Sequence, residues 1–366
     1  MNRDFSKVKR VVVKVGTNTL ASGTGVDKTY LQDMAAQIMS IKNRGLQVLL
    51  VTSGAIGMGT LELGLAEKPT EVRGRQACAA VGQPLLMAAY KEAFDKFKQP
   101  IAQILLTNDV LSARTSFLKS TEAVDTLLGM GVIPIFNEND AVSIAEIGKA
   151  FGDNDKLSAL VASKMDAELL IILSDIDALY DRDPRKFPEA RRIPLVETIT
   201  AEILEGAGGA GSAFSTGGMR TKIRAVLIAE KAGCATVLAH GREAGVLPRI
   251  VAGEDVGTLF LAKDRQPSRR RWILNSHPVG NLTVDEGAMA ALRSHKSLLS
   301  RGLTKVEGDF SPGSVVLVNK ILKLVTKFSS ADLNRLKGLD SPGVVKILGK
   351  KDVIARPEDM AWVDEI

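Results

Sequence analysis

The sequence predicts an α/β protein built on a three-layer, mainly parallel sheet and followed by a small β-rich domain. Two observations lead there. From residue 10 to 262, short aliphatic runs alternate with segments of helical period, the pattern of strand–helix–strand units. Past Lys263 the pattern changes to short strand-like runs set between turns. A length of 366 residues is long for one core and fits that division: residues 1–262 as the first domain, 263–275 as a basic linker and 276–366 as the second.

The first strand is Val11-Val12-Val13-Lys14-Val15, closed by Gly16, and its β-branched run marks a buried, central, parallel position. A lysine inside it must snorkel to an edge or face a phosphate at the strand's carboxyl end. Residues 29–43 repeat apolar side chains at helical spacing (Leu31, Met34, Ala35, Ile38, Met39) and stop at Arg44-Gly45. A second strand, Gln47–Val51, runs through Thr52-Ser53-Gly54-Ala55 into a helix whose first N–H groups would form an anion site. Residues 73–99 read as one or two helices, interrupted at Gly82 and Pro84.

Ile101–Leu106 is a third strand, and a helix lies around Ser120–Leu128. Gly131–Phe136 follows as a strand, although Pro134 argues against full hydrogen bonding in a sheet centre. Ala167–Leu173 is the next strand, ending at Ser174-Asp175, and Glu197–Glu205 reads as a helix. Gly206–Gly211 matches a dinucleotide fingerprint, but a helix precedes it where a strand is needed, so it reads as a loop. Ser215–Lys222 then opens a helix that reaches Ala232 and makes a second phosphate-binding candidate. Cys234–Ala239 and Gly257–Phe260 complete the sheet. Beyond the linker, Gly280–Asp285, Val315–Val318, Leu322–Val325 and Val344–Ile347 read as strands and Gly287–Ser294 as a helix.

Composition narrows the class. No apolar run approaches the ~20 residues of a membrane span, and the N-terminus lacks the apolar core of a signal peptide. Cys78 and Cys234 are the only cysteines, which disfavours a disulfide framework or a thiolate metal site and makes the cytoplasm the expected compartment. The net charge of +6 falls wholly in residues 263–366, where 18 basic face 12 acidic side chains; the preceding 262 residues balance at 30 each. That excess suits a solvated connector or a nucleic-acid contact through Arg269-Arg270-Arg271.

Between Asn137 and Leu160, five carboxylates, three amides and two lysines hang between a strand and a helix. A solvated loop with a helix cap would account for such a stretch in an arbitrary protein. Here, however, Lys14, Ser53, Asp140 and Asp175 also fall at or just past strand ends, where parallel sheets bind ligands. The chain has no Walker A, His-Glu-x-x-His or Gly-x-Ser-x-Gly motif, and His240, His277 and His295 lie away from the polar loops. Two lysines after phosphate-friendly turns, with aspartates and a hydroxyl, suit phosphoryl transfer, where positioning and charge neutralisation dominate. A carboxylate acceptor is already ionised at neutral pH and needs no general base, whereas a hydroxyl acceptor could use an aspartate. These residues point to a nucleotide-dependent kinase of a small anionic acceptor.

The segments VVVKVGTNTL (11–20), VTSGAIGMG (51–59), NENDAV (137–142), FGDNDKLSAL (151–160), STGGMRTK (215–222) and VDEGA (284–288) resemble, in order, the glutamate 5-kinases of the amino acid kinase superfamily. GDFSPGSVV (308–316) resembles the PUA domain that many of them carry. The resemblance implies the amino acid kinase fold, ATP with Mg²⁺, and L-glutamate phosphorylated to L-glutamyl 5-phosphate at the start of proline synthesis. It implies that Lys14 and Lys222 bind phosphate and that Asp155 orients both. Ser53, Gly54, Ala55, Asp140 and Asn154 would bind glutamate, with Asn137 and Asp153 beside them. ATP would lie against Lys14, Ser174, Asp175, Thr216, Gly217, Gly218, Met219, Arg220, Thr221 and Lys222; Ser174 stands where threonine is common. No metal ligands are assigned. Residues 144–151 would form a mobile flap. Proline as feedback inhibitor, a homo-oligomer and RNA at the C-terminal domain complete the expectations. A sister kinase of N-acetylglutamate, aspartate or a nucleoside monophosphate stays open at this point, as does an RNA-binding protein on a kinase scaffold.

Overall fold

The computed structural model describes residues 3–22, 25–107, 110–111, 114–142, 154–206, 218–348 and 353–363. The chain divides into two compact units, Met1–Thr107 with Lys119–Arg265, and Asn108–Leu118 with Gln266–Ile366. In the first unit the elements run β1 (Arg10–Val15), α1 (Lys28–Lys42), β2 (Gln47–Val51), α2 (Ala55–Glu62), α3 (Val72–Asp95), β3 (Ile101–Leu106), the part of α4 (Arg114–Gly129) from Lys119 onward, and β4 (Ile133–Glu138). They continue with α5 (Asn154–Lys164), β5 (Leu169–Ser174), β6 (Leu195–Val196), α6 (Met219–Lys231), β7 (Ala235–His240), α7 (Val246–Val251) and β8 (Thr258–Phe260). The eight-stranded sheet has the order β6-β8-β7-β5-β1-β2-β4-β3. Every pair from β7 to β3 is parallel, and β8 runs antiparallel to β7.

Strand alternation sorts side chains between the two faces. Val11, Val13 and Val15 pack with Leu31, Met34, Leu86, Tyr90 and Leu247, so α1, α3 and α7 cover one face. Val12 and Lys14 have the opposite parity and share the face on which α5 lies against β1 and α6 against α5. The hydrophobic pattern of β1 therefore aims its one lysine at the starts of α5 and α6. This is the three-layer arrangement the sequence predicts.

Two local expectations needed correction. The helix expected to break at Gly82 and Pro84 is continuous from Val72 to Asp95, with the exposed Pro84 inside it. Gly82 is instead a contact point: a Cβ there would come within 1.9 Å of the Ala55 carbonyl oxygen, and one on Gly59 within 1.8 Å of the Cys78 carbonyl oxygen. Helices α2 and α3 thus meet backbone to backbone. A Gly82→Ala change gains up to about 1 kcal/mol of helix propensity but forces the two helices apart, which costs about 1–3 kcal/mol. Net destabilisation in a urea titration is expected, together with lost activity because α2 begins at the site described below. Strand β4 also extends further than expected, through Asn137 and Glu138, and pairs β2 only from Ile135 onward, past the proline.

In the second unit, α8 (Ser268–Asn275) is followed by β9 (Asn281–Val284), α9 (Glu286–Arg293), β10 (Leu303–Glu307), β11 (Val315–Val318), β12 (Leu322–Val325), α10 (Ser330–Leu336), α11 (Ser341–Leu348) and β13 (Met360–Trp362). The five strands form one sheet in the order β10-β9-β11-β12-β13. Its core includes Leu282, Val316, Val318, Leu322, Leu324 and Leu333. Val344–Ile347, expected as a strand, lies in α11, and Ser268–Asn275, within the stretch expected as a linker, is helical with Arg271, Trp272 and Ile273 buried.

Candidate active site

The carboxyl ends of β1, β2, β4 and β5 lie side by side, and the order of connection reverses there: β2, β3 and β4 build outward from β1 on one side, β5 on the other. A crevice at such a reversal is where open parallel sheets bind ligands. Lys14 reaches it from β1, in register between Val51 and Ile172. Asp155 enters in the first turn of α5 and Lys222 in the first turn of α6.

These three side chains meet. Lys14 Nζ lies 2.6 Å from Asp155 Oδ1, and Lys222 Nζ lies 3.1 Å from Asp155 Oδ2. Thr221 also donates to Oδ2, at 3.2 Å, and to the Gly218 carbonyl oxygen, at 2.8 Å. The carboxylate is fully buried, with the lysines 3% and 4% exposed. Burying three charges is costly unless they are paired, so both ammonium positions are tied to one rigid anion. The start of α6 adds the positive end of a helix dipole.

A second group gathers at the ends of β2 and β4. Ser53 accepts a hydrogen bond from Thr17 at 2.9 Å and donates to the Val15 carbonyl oxygen at 3.2 Å. Gly54 precedes α2 with φ of 106°, a backbone region that favours glycine, and Ala55 is buried beneath it. The Thr17–Leu20 turn is held from the next loop by Arg242, which donates to the Thr19 carbonyl oxygen at 2.9 Å and pairs with Asp27 at 2.9 Å. Asn137 and Asn154 are buried and hydrogen-bonded to each other at 2.8 Å. Asp140 lies two residues past β4, half-buried; burial raises its carboxyl above the ordinary value, and nearby Arg75 partly lowers it. Cavities of about 250 Å³ and 240 Å³ open here, the first lined by Thr17, Ser53 and Gly54, the second by Gln83, Gln103, Glu138 and Asp140.

Ser174 ends β5, buried, and donates to the exposed Asp175 at 3.0 Å. Gly218, Met219, Arg220 and Thr221 form the start of α6 beside Lys222. Asp153, Thr216, Gly217 and the expected flap at 144–151 lie outside the described residues. One reading of the sequence is corrected here: His240 is not remote from the polar loops but pairs in register with Ser174 at the end of β7. The sequence reading also missed Gln83 and Gln103, whose amides join Asn137. Gln103 did leave a signal, as the single polar side chain in IAQILL.

Residues 9–240 match the amino acid kinase family model and residues 280–320 the PUA domain. A glutamate 5-kinase of Methanosarcina barkeri is 44% identical over 362 residues, covering 95% of this chain and 94% of the relative. One from Geobacter sulfurreducens is 44% identical over 356 residues, covering 95% of each. Among solved structures, a UMP kinase from Bacillus anthracis aligns with a TM-score of 0.50 at 19% identity, over 69% of this chain and 96% of that one. A carbamate kinase from Giardia lamblia, bound to AMP-PNP, aligns with a TM-score of 0.50 at 17% identity, over 71% and 100%. These two likenesses speak to the fold.

Proposed function

The chain belongs to the amino acid kinase family, on its glutamate 5-kinase branch, and from that premise we propose that it transfers the γ-phosphoryl group of ATP to the side-chain carboxylate of L-glutamate. The product, L-glutamyl 5-phosphate, opens proline synthesis. The observation that carries the proposal is the buried Lys14–Asp155–Lys222 bridge at the reversal of the parallel sheet. Two cations fixed on one carboxylate suit a group whose negative charge redistributes during transfer and demand no reorganisation at that moment.

In this reading a γ-carboxylate oxygen of glutamate attacks the γ-phosphorus, and the bond to the β–γ bridging oxygen breaks, its electron pair leaving with ADP. The acceptor is ionised at neutral pH, so no side chain must remove a proton. Lys14 and Lys222 neutralise the phosphoryl oxygens, Asp155 holds both, and the start of α6 receives the nucleotide's phosphates with Ser174 and Asp175 alongside. Among the described residues no three His, Cys, Asp or Glu side chains gather as a metal cage. Mg²⁺ bound with the nucleotide would be held chiefly by its phosphates and would supply charge neutralisation there. Homo-oligomerisation, proline as feedback inhibitor, and RNA at the PUA domain belong to the same proposal, resting on the family and on the PUA match. The cytoplasm is its compartment in this reading; among the described residues no helix is long and apolar enough to cross a membrane.

The test is ADP release coupled to an acyl phosphate that hydroxylamine traps, with glutamate, aspartate, N-acetylglutamate and UMP offered in turn. Glutamate alone should give the hydroxamate; a preference for another acceptor overturns the assignment. Asp140 supplies a further check. As the counter-charge to the substrate's ammonium it must be ionised, and burial raises its pKa above the ordinary carboxylate value. The KM for glutamate should therefore rise as pH falls toward that raised pKa. Asp140→Asn should raise KM at neutral pH by about tenfold or more and abolish this acidic limb.

A further inference from the structure

His240 ends β7 in register with Ser174, as Leu238 is with Ile172 and Ile172 is with Lys14. Side chains in register share a face, so His240, Ser174 and Lys14 project on the side of the sheet where α5 and α6 lie. Leu173 and Ala239, of opposite parity, belong to the core on the other side. The length of α6 sets the level. Its 13 residues and the 6 of β7 each span about 20 Å, and only Ala232, Gly233 and Cys234 connect them. The chain doubles back over that turn, which brings Gly218 and the first turn of α6 level with the His240 end of β7.

The ring is also oriented. Its Nδ1 accepts from the Arg242 backbone N–H at 3.2 Å. An imidazole nitrogen that accepts carries no proton, so Nε2 carries it and donates. Among the described residues Nε2 has no partner. The loop that holds the ring is itself fixed: Gly241 donates to the Ser174 carbonyl oxygen at 2.8 Å, and a Cβ on Gly241 would fall 2.5 Å from Thr19 Cγ2. Ser174 directs its own hydroxyl proton to Asp175, which leaves the His240 Nε2–H as the uncommitted donor of these two strand ends. We infer that His240 binds the nucleotide, its Nε2–H donating to a phosphate oxygen of the diphosphate that leaves as ADP. Adjacent strands stand about 4.8 Å apart, so β7 lies about 10 Å from β1, beyond the transferred group held at Lys14. A triphosphate with its γ end at the lysine bridge and the rest under the start of α6 passes Ser174 and reaches His240. The inference rests on ATP being the phosphoryl donor at this site, and not on which acceptor is used.

The experiment uses the full chain as wild type, His240→Leu and His240→Gln. It measures ADP binding by calorimetry, the competitive inhibition constant of adenosine against ATP, and the KM values for ATP and glutamate. Leucine removes the donor, whereas glutamine places an amide N–H at about the reach of Nε2. In His240→Leu the ADP dissociation constant and the KM for ATP should rise about fivefold to tenfold, while the adenosine constant, the KM for glutamate and kcat stay within about twofold. His240→Gln should stay within about threefold of wild type in every constant. If His240→Leu does not fold, His240→Ala is judged by the same criterion. Equal weakening of ADP and adenosine, no change in either, or a glutamine variant as weak as the leucine one overturns the inference. ADP binding needs no acceptor. A wild type that binds ADP with this dependence on His240 and leaves glutamate unphosphorylated therefore upholds the inference and overturns only the acceptor assignment.

Discussion

Removing either lysine of the buried bridge should lower glutamyl phosphate formation by about 10²–10⁴-fold, through kcat rather than through the KM for glutamate. The argument is one of timing. Charge on the transferred group spreads onto its equatorial and bridging oxygens as the transition state forms, and the lysines are already in place to meet it. Lys14→Met and Lys222→Met are the variants to use, because methionine fills the stem's volume in a site that is 3–4% exposed. Arginine should not rescue position 14: a planar fork cannot replace a compact ammonium where the backbone at Gly16 lies close, a Cβ there falling 3.3 Å from Lys14 Nζ. The double variant should be little worse than the worse single one, since both lysines act on one transition state and removing one already loses most of the effect. Single-variant rates within about threefold of wild type, in the hydroxylamine assay at saturating substrates, would sink the role of the bridge.

Why so much of this site could be read from the sequence, and some of it not, has a physical basis. Lys14 stood out because the four valines around it make a buried strand in which a charged side chain must find a partner, face a ligand or snorkel to an edge, and strand parity then fixed its face. Lys222 stood out because glycines precede a strongly periodic helix, the local pattern of an anion site. Both are short-range signals. The linked amides have no such signal: Gln83, Gln103, Asn137 and Asn154 are scattered over separate elements, and only the sheet brings them together. Pro84 misled because local propensity predicts a break, whereas close packing through Gly59 and Gly82 holds the helix intact. In the second unit, Val344–Ile347 looks like a strand in isolation. The deciding residues precede it: Asp340 accepts a hydrogen bond from the Gly343 backbone at 2.9 Å, and Pro342 belongs just inside a helix start. The basic run at Arg269–Arg271 similarly hid the burial of Trp272 and Ile273 behind a composition that reads as solvated.

Asp155 carries the second large effect, and here the expectation concerns folding as much as catalysis. Replacing it by alanine removes the carboxylate that joins Lys14 and Lys222 while leaving both stems buried. Breaking a buried ion pair from one side costs about 3–5 kcal/mol, a large fraction of a domain's stability. The variant should therefore unfold at markedly lower urea, and its residual activity should fall at least as far as that of the lysine variants. The sign of its pH response separates electrostatics from a packing defect. Without the carboxylate, burial disfavours the charged form of each lysine, so the folded state binds fewer protons than the unfolded one. Stability then rises with pH wherever the unfolded chain holds more protons, that is, between the depressed folded pKa and about 10.4. The deficit of Asp155→Ala relative to wild type should shrink on going from pH 7 to pH 9.5, and ATP or ADP, whose phosphates supply anionic charge to the same lysines, should raise its unfolding midpoint more than that of the wild type. A deficit that stays constant across that pH range, with equal nucleotide shifts in both proteins, would mean that Asp155 fills space and does not serve as the counter-ion on which the two lysines are built.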